Sequence, residues 1–121
     1  MFKVIRTPLI IASHNNQSNY FEGELEKPLI AANASIVSIG VQNTRNSSNF
    51  YASQCFAKQI KGEKTVTKGF FQVVNKEPID IWWRAIIIVY IPDEANLNIE
   101  AQEASFQLIQ VPPPYITDDN G

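Results

Sequence analysis

The stretch that decides the fold is IDIWWRAIIIVYI, residues Ile79–Ile91, which Pro92 follows directly. β-Branched and aromatic side chains dominate it, and these residue types favour a strand over a helix. It is also shorter than the roughly twenty residues that a membrane-spanning helix needs, so no membrane insertion is expected. Both alternating sets of side chains are apolar. Such a strand is either central and covered on both faces, or has its second face in a subunit interface.

The rest of the chain shows the same pattern of short apolar runs separated by turn residues. Further strands are predicted at Phe2–Ile11, Tyr20–Glu26, Ala34–Gln42, Phe50–Ile60, Gly69–Val74, Leu97–Ala101 and Ser105–Val111. Tyr20–Glu26 alternates weakly and is predicted to be an edge strand. In Phe50–Ile60, unbroken alternation would place Phe50 and Phe56 on one face and Cys55 on the other. Seven or eight strands without a convincing helix predict an all-β, antiparallel β-sandwich.

The length of 121 residues fits a single domain over 1–121. Residues 1–12 are expected to form an N-terminal strand or arm, and residues 112–121 an extended C-terminal tail. Charged residues make up only 18% of the chain, and after Arg84 all six charged residues are acidic. A low charge content suits a subunit that buries surface against copies of itself. The acidic C-terminal part fits either attraction between subunits or a solvated edge, and the solvated edge is the preferred interpretation.

Catalytic and metal chemistry lack the necessary residues. The chain has one histidine, His14, and one cysteine, Cys55, which excludes an intrachain disulfide and cannot complete a tetrahedral zinc site. We expect His14 to lie in an exposed turn and Cys55 to be a buried, inert thiol. The acidic residues 118–119 do not match a calcium-loop spacing. A non-enzymatic protein without a metal or cofactor is therefore expected.

Two further motifs can each be interpreted either as functional or as purely structural. Lys58, Lys61, Lys64 and Lys68 flank one hairpin tip. They would suit a nucleic acid, but the chain is acidic overall, so a solvated hairpin tip is preferred and no nucleic-acid partner is expected. Residues 112–115 read PPPY, which matches the ligand of WW domains. A rigid extended arm is the preferred interpretation of that segment.

The N-terminal residues 1–15, MFKVIRTPLIIASHN, make a poor signal peptide because Arg6 and Pro8 interrupt a short apolar run. We therefore expect synthesis in the cytoplasm, with the protein either staying there, entering a virion or leaving by a non-classical route.

From Lys27 to Pro92 the order of features resembles the H-type lectins, the small sandwich domains of discoidin and snail agglutinins. Lys27-Pro28 precedes a strand at Ile36–Val41 and a polar loop at Asn43–Asn49. The family's Gly-Phe pair corresponds to Gly69-Phe70, and its final strand to Ala85–Ile91. The resemblance implies a homotrimer that binds sugars. The chain differs where the family carries sugar-contacting residues, because residues 75–78 read NKEP and residues 50–57 contain no arginine.

Two functions follow as hypotheses. The first is a homo-oligomeric, lectin-like module for carbohydrate recognition or adhesion, with itself and glycans as partners. Its candidate ligand-binding residues offer amides, charges and one aromatic face: Asn43, Arg45, Asn46, Asn75, Glu77 and Trp82. The alternative is a structural subunit of a virion, phage tail or filament, assembled through apolar arms.

Overall fold

The structure, a computed structural model, describes residues 2–26, 34–60, 66–92 and 106–113. These residues form eight strands and no helix. The strands are β1 Phe2–Arg6, β2 Ile10–Ala12, β3 Asn16–Glu26, β4 Ser35–Asn43, β5 Phe50–Ile60, β6 Val66–Asn75, β7 Ile81–Tyr90 and β8 Leu108–Val111. They build two antiparallel sheets that share one core, which confirms the predicted β-sandwich.

Several predicted features lie outside the described residues. They are the strand Leu97–Ala101, the Lys27-Pro28 pair, the hairpin-tip residues Lys61 and Lys64, the acidic residues 118–119, and the tail from Pro114 onward.

Sheet A contains β7 at its centre. One edge of β7 pairs first with β2 and then with β1, and the other edge pairs with β4. The predicted strand Phe2–Ile11 is thus split in two around Pro8, which has no N–H to donate to the ladder. Thr7 bridges the break, because its N–H donates to the Ala85 carbonyl (3.1 Å) and its Oγ1 accepts the Ala85 N–H (2.9 Å). Residues 2–12 are therefore an integral part of the sheet and not a free arm.

Strand β7 buries one face completely and leaves the other partly open. Ile81, Trp83, Ala85, Ile87 and Val89 point into the core and are fully buried. The alternate side chains lie on the outer face of sheet A, where Trp82 is 49% and Tyr90 41% exposed. Among the described residues, a second layer packs on one side of this strand only.

Sheet B has the strand order β5-β6-β3-β8. The prediction that Tyr20–Glu26 is an edge strand is wrong, because β8 pairs along the free side of β3 and places Ile109 opposite Glu22. The inner faces of the two sheets meet around Trp83. The rings of Phe21 and Phe71 lie edge-on to it, with centroids 4.9 and 5.7 Å away. Edge-to-face packing of this kind is favourable for aromatic groups.

Bulges in β5 and β4 change which side chains face the core. Ser53 is an extra residue in β5 between the pairs Ala52–Val73 and Gln54–Gln72, and Val37 is an extra residue in β4. Because strand side chains alternate, one inserted residue moves everything after it to the opposite face. The predicted faces of Phe50–Ile60 are therefore wrong beyond Ser53. Phe50 and Cys55 pack on the core, whereas Phe56 lies on the outer face of sheet B.

Candidate functional site

Most of the residues predicted to bind a ligand lie together at one end of the sandwich, where loop 44–49 meets the turn 76–80. The Glu77 carboxylate oxygen Oε2 accepts hydrogen bonds from Ser47 Oγ (2.6 Å) and Asn49 Nδ2 (3.0 Å). These hydrogen bonds, chiefly the one from Ser47, lower the pKa of Glu77, and the nearby charge of Arg45 lowers it further. The carboxylate thus fastens one loop to the other.

The side chains of Asn43 and Asn75 also stabilise the loops through hydrogen bonds to the backbone. Asn43 Oδ1 accepts the backbone N–H groups of Arg45 (3.0 Å) and Ser47 (3.1 Å). Asn75 is fully buried, and its amide donates to the carbonyls of Ala12 (3.0 Å) and Ile79 (3.1 Å) while its oxygen accepts the Glu77 N–H (3.0 Å). Asn side chains that bond neighbouring backbone in this way build compact turns. Their polar atoms are engaged in holding the loop end.

Of the other predicted residues, Arg45 and Asn46 are exposed at the tip of loop 44–49. Asn46 has a positive φ of 51°, which asparagine tolerates better than most residues. Trp82 presents its ring on the outer face of sheet A, and its carbonyl accepts hydrogen bonds from the N–H and the hydroxyl of Thr44 (3.1 Å each) at the start of loop 44–49. The loop end therefore offers a ligand mainly Arg45 and Asn46.

His14 forms a clasp on the same end of the molecule. Its ring Nδ1 lies 2.6 Å from Asp80 Oδ1, and its backbone N–H donates to the same oxygen at 2.9 Å. The hydrogen bond with the His14 ring has the larger effect and the one from the His14 backbone N–H the smaller, and both lower the pKa of Asp80. Both side chains are about half exposed. The pair fixes the turn before β3 against the turn before β7.

A groove on the outer face of sheet B was missed by the sequence analysis. It encloses about 360 Å³ and is lined by side chains from all four strands. Two cross-strand rows form its floor. The first row runs Gln54, Gln72, Tyr20 and Val111, and the second runs Phe56, Phe70 and Glu22. Opposed residues in such rows are neighbours on one face, so the groove juxtaposes an amide row with an aromatic row.

The aromatic row is preorganised. Phe56 and Phe70 are stacked with their centroids 5.1 Å apart and their planes inclined by 25°. Lys58 Nζ lies 5.6 Å from the Phe70 ring centre, and Lys68 Nζ lies 3.8 Å from Glu22 Oε1. Phe56 is nevertheless 46% exposed. An aromatic surface held open to water in this way is available for contact with a ligand.

The polar side chains of the amide row make no competing hydrogen bonds within the described part of the chain. Within residues 2–26, 34–60, 66–92 and 106–113, the amides of Gln54 and Gln72 and the hydroxyl of Tyr20 have no hydrogen-bond partner. This is the reverse of the loop end, where most polar atoms are engaged. Continued alternation through Ser53 would have placed Phe56 in the core, so the sequence held no signal for the groove other than the possibility of a bulge.

The described residues offer no other reactive centre. No group of three or more His, Cys, Asp or Glu side chains in them is arranged to hold a metal ion. Cys55 is a free, half-buried thiol whose pKa burial raises to about 11, so it is protonated and unreactive near neutral pH. The same part of the chain contains no helix of the length and apolarity that crossing a bilayer requires.

Comparisons with known proteins add no relative. The chain matches none of the protein-family models, curated proteins or solved structures against which it was compared. The resemblance to H-type lectins therefore stays a prediction.

Proposed function

We propose that the protein is a non-catalytic carbohydrate-binding module and that its ligand site is the groove on the outer face of sheet B. The observation that carries this proposal is the pairing of a stacked, exposed aromatic row with a row of unengaged amide and hydroxyl groups. It keeps the lectin-like function expected from the sequence but moves the site from the loop end to the sheet.

The chemistry of the two rows fits a sugar. One face of a pyranose ring presents C–H groups, which pack on an aromatic ring, while its hydroxyls need planar donors and acceptors at the ring's edge. Phe56 and Phe70 supply the aromatic surface. Gln54, Gln72 and Glu22 supply amides and a carboxylate in the adjoining positions. The volume of about 360 Å³ lies at the small end of the range of roughly 300–1,000 Å³ for ligand pockets, which suits one or two sugar units.

Protein variants can distinguish the groove from the loop end. Phe56→Ala removes the exposed ring of the aromatic row, and Gln72→Ala removes an amide beside it. Tyr51→Ala is the matched control, since Tyr51 is an exposed aromatic on the same strand that does not line the groove. Arg45→Ala tests the loop end. Each variant should keep the wild-type circular dichroism, because all four side chains are at least partly exposed.

The assay is a glycan array with the wild-type protein, followed by calorimetric titration of the best binder with each variant. We expect Phe56→Ala to weaken binding by about tenfold, the equivalent of one lost aromatic contact of roughly 1.4 kcal/mol. Gln72→Ala should also weaken binding, whereas Tyr51→Ala should not. An array without a binder contradicts the function. Loss of binding in Arg45→Ala with an unaffected Phe56→Ala contradicts the position of the site.

A second candidate function is a structural subunit of a virion, tail or filament. It is favoured by the apolar outer face of sheet A, which the described part of a single chain leaves open. Nothing supports assembly through an N-terminal arm that is exchanged between subunits, because β1 and β2 pair with β7 of the same chain. Sedimentation velocity distinguishes this candidate: an open polymer or a shell supports it, and a discrete small oligomer contradicts it.

A further inference from the structure

The outer face of sheet A, called here the outer A face, carries an apolar surface along β7 and β1, beside the polar β4 side chains Ser35, Ser38 and Gln42. Its main members are Phe2, Val37, Trp82, Ile86, Ile88 and Tyr90. Phe2 is 66% and Val37 57% exposed, and the Phe2 and Tyr90 rings pack edge-on with centroids 5.3 Å apart. A monomeric protein rarely exposes so many large apolar side chains on one flat face, and such patches mark interaction sites.

We infer that this protein forms a two-fold homodimer in which two copies pack their outer A faces against each other. This inference is independent of the proposed sugar site, which lies on the opposite sheet.

The size of the face matches a small but specific dimer interface. Sheet A is three strands wide, because β1 and β2 share one edge of the ten-residue strand β7 and β4 occupies the other. At about 4.8 Å between strands and 3.3 Å per residue, the flat footprint is roughly 470 Å² per copy. Two such faces bury at least about 950 Å², and the side-chain relief adds to this, which reaches the lower end of specific interfaces at roughly 1,000–1,200 Å².

Charge and shape favour a second copy over a polyanion. The charged side chains on the outer A face are Arg6 and Arg84, and neither has an ion-pair partner among the described residues. Two cations are few for a nucleic acid, and the centre of the face is aliphatic, with Ile86 and Ile88 offering no surface for base stacking.

A two-fold axis can place Arg84 against an aromatic ring of the partner without an acidic residue. If the axis crosses the strands between the levels of Ile86 and Ile88, it places Ile86 opposite the partner's Ile88 and Arg84 opposite the partner's Tyr90. Arg6, which pairs with Ile86 in the sheet, then faces the partner's Val4, which pairs with Ile88. A guanidinium over a tyrosine ring is a favourable cation–π contact. One flat sheet is covered completely by one other sheet, so the assembly closes as a dimer.

The test combines mass measurement with two surface substitutions. Ile88→Lys places a charge at the centre of the outer A face, and Val37→Lys does so at an exposed bulge where loss of folding is not expected. Ile109→Lys is the matched control, because it makes the same change at an exposed isoleucine on the outer face of sheet B. Denaturation curves of all variants establish that each one is folded.

In sedimentation equilibrium at about 100 µM, where an interface of this size should associate, we expect wild type and Ile109→Lys at twice the chain mass of 13.6 kDa. Folded Ile88→Lys or Val37→Lys should be monomeric. Acrylamide quenching of Trp82 should decrease as wild-type concentration rises, while buried Trp83 contributes little. A monomeric wild type, a trimer, or a dimer unaffected by both outer A face substitutions would overturn the inference.

Discussion

Replacing Gly23 by alanine should destabilise the protein, because a single aromatic ring occupies the space above this glycine. Gly23 and Gly69 are directly opposed on β3 and β6. A methyl group at Gly23 would lie 2.6 Å from Phe106 Cε1, and one at Gly69 would lie 3.2 Å from Phe106 Cζ. Phe106 is almost fully buried. The ring thus covers a glycine pair that could not pack on its own, as aromatic residues do over strand glycines elsewhere.

The size of the effect follows from the displacement that the methyl group requires. Carbon atoms pack best at about 3.5–4.0 Å, so the Phe106 ring must move by roughly 1 Å. Overpacking of this kind costs about 1–3 kcal/mol. Alanine recovers roughly 0.4–1 kcal/mol by restricting the unfolded chain. We therefore expect a net loss of about 1–2 kcal/mol in the free energy of unfolding.

Gly40→Ala is the matched control. Gly40 lies in β4 on the outer A face, no heavy atom approaches within 4 Å of a methyl group there, and its φ is not positive. This substitution should be neutral or stabilise the protein by roughly 0.4–1 kcal/mol. Urea denaturation of both variants gives the comparison directly. If Gly23→Ala is as stable as Gly40→Ala, the ring does not fill this space and the reasoning is wrong.

A double substitution adds a second check on the cause. Phe106→Leu makes room above β3, so it should cost less stability in the Gly23→Ala background than in wild type. Contacting residues show such non-additive effects, whereas distant residues do not. Additive losses would mean that the methyl group at Gly23 acts through something other than the Phe106 ring.

Two further predictions concern pH and the break in the first strand. Because the pKa of Asp80 is lower in the folded than in the unfolded protein, the folded state binds fewer protons. The stabilisation that Asp80 contributes is therefore complete above its ordinary pKa of about 4, and it is lost as the pH falls through the folded-state pKa. Asp80→Asn should flatten the fall of the melting temperature between about pH 6 and pH 2, and an unchanged profile would contradict the His14 clasp. Thr7→Val should cost roughly 1–3 kcal/mol in urea denaturation because it leaves the buried Ala85 N–H unpaired. Thr44→Val, at an exposed hydroxyl, should cost clearly less, and equal losses would contradict the bridging role of Thr7.

The inner face of the fold could be predicted from alternation alone. Ile81, Trp83, Ala85, Ile87 and Val89 follow one another at every second position, and all are fully buried. This works because a strand without bulges leaves no choice of face once one residue is placed. The two-sided apolar character of the same strand was also informative, although its second face is covered by nothing among the described residues of the chain.

The candidate site could not be predicted, because it depends on one extra residue. Nothing in FYASQCFAKQI marks Ser53 as the bulge, yet this residue determines that Phe56 joins Phe70 outside and Cys55 packs inside. The loop end shows the opposite difficulty. Asn43, Asn75 and Glu77 have the composition of a ligand site, but only the three-dimensional hydrogen-bond pattern shows that the loops use these groups themselves.

The dimer and the groove together constrain how the protein would act on glycans. Pairing through the outer A faces stacks four sheets, and sheets pack about 10 Å apart, so the two grooves would lie on opposite outer surfaces at least roughly 30 Å from each other. Grooves that point in opposite directions cannot engage one flat glycan layer at the same time, so the dimer gains no avidity on a single surface. It can instead connect two surfaces. Because no groove residue lies on the outer A face, loss of the dimer would remove this bridging and leave the affinity of each groove unchanged.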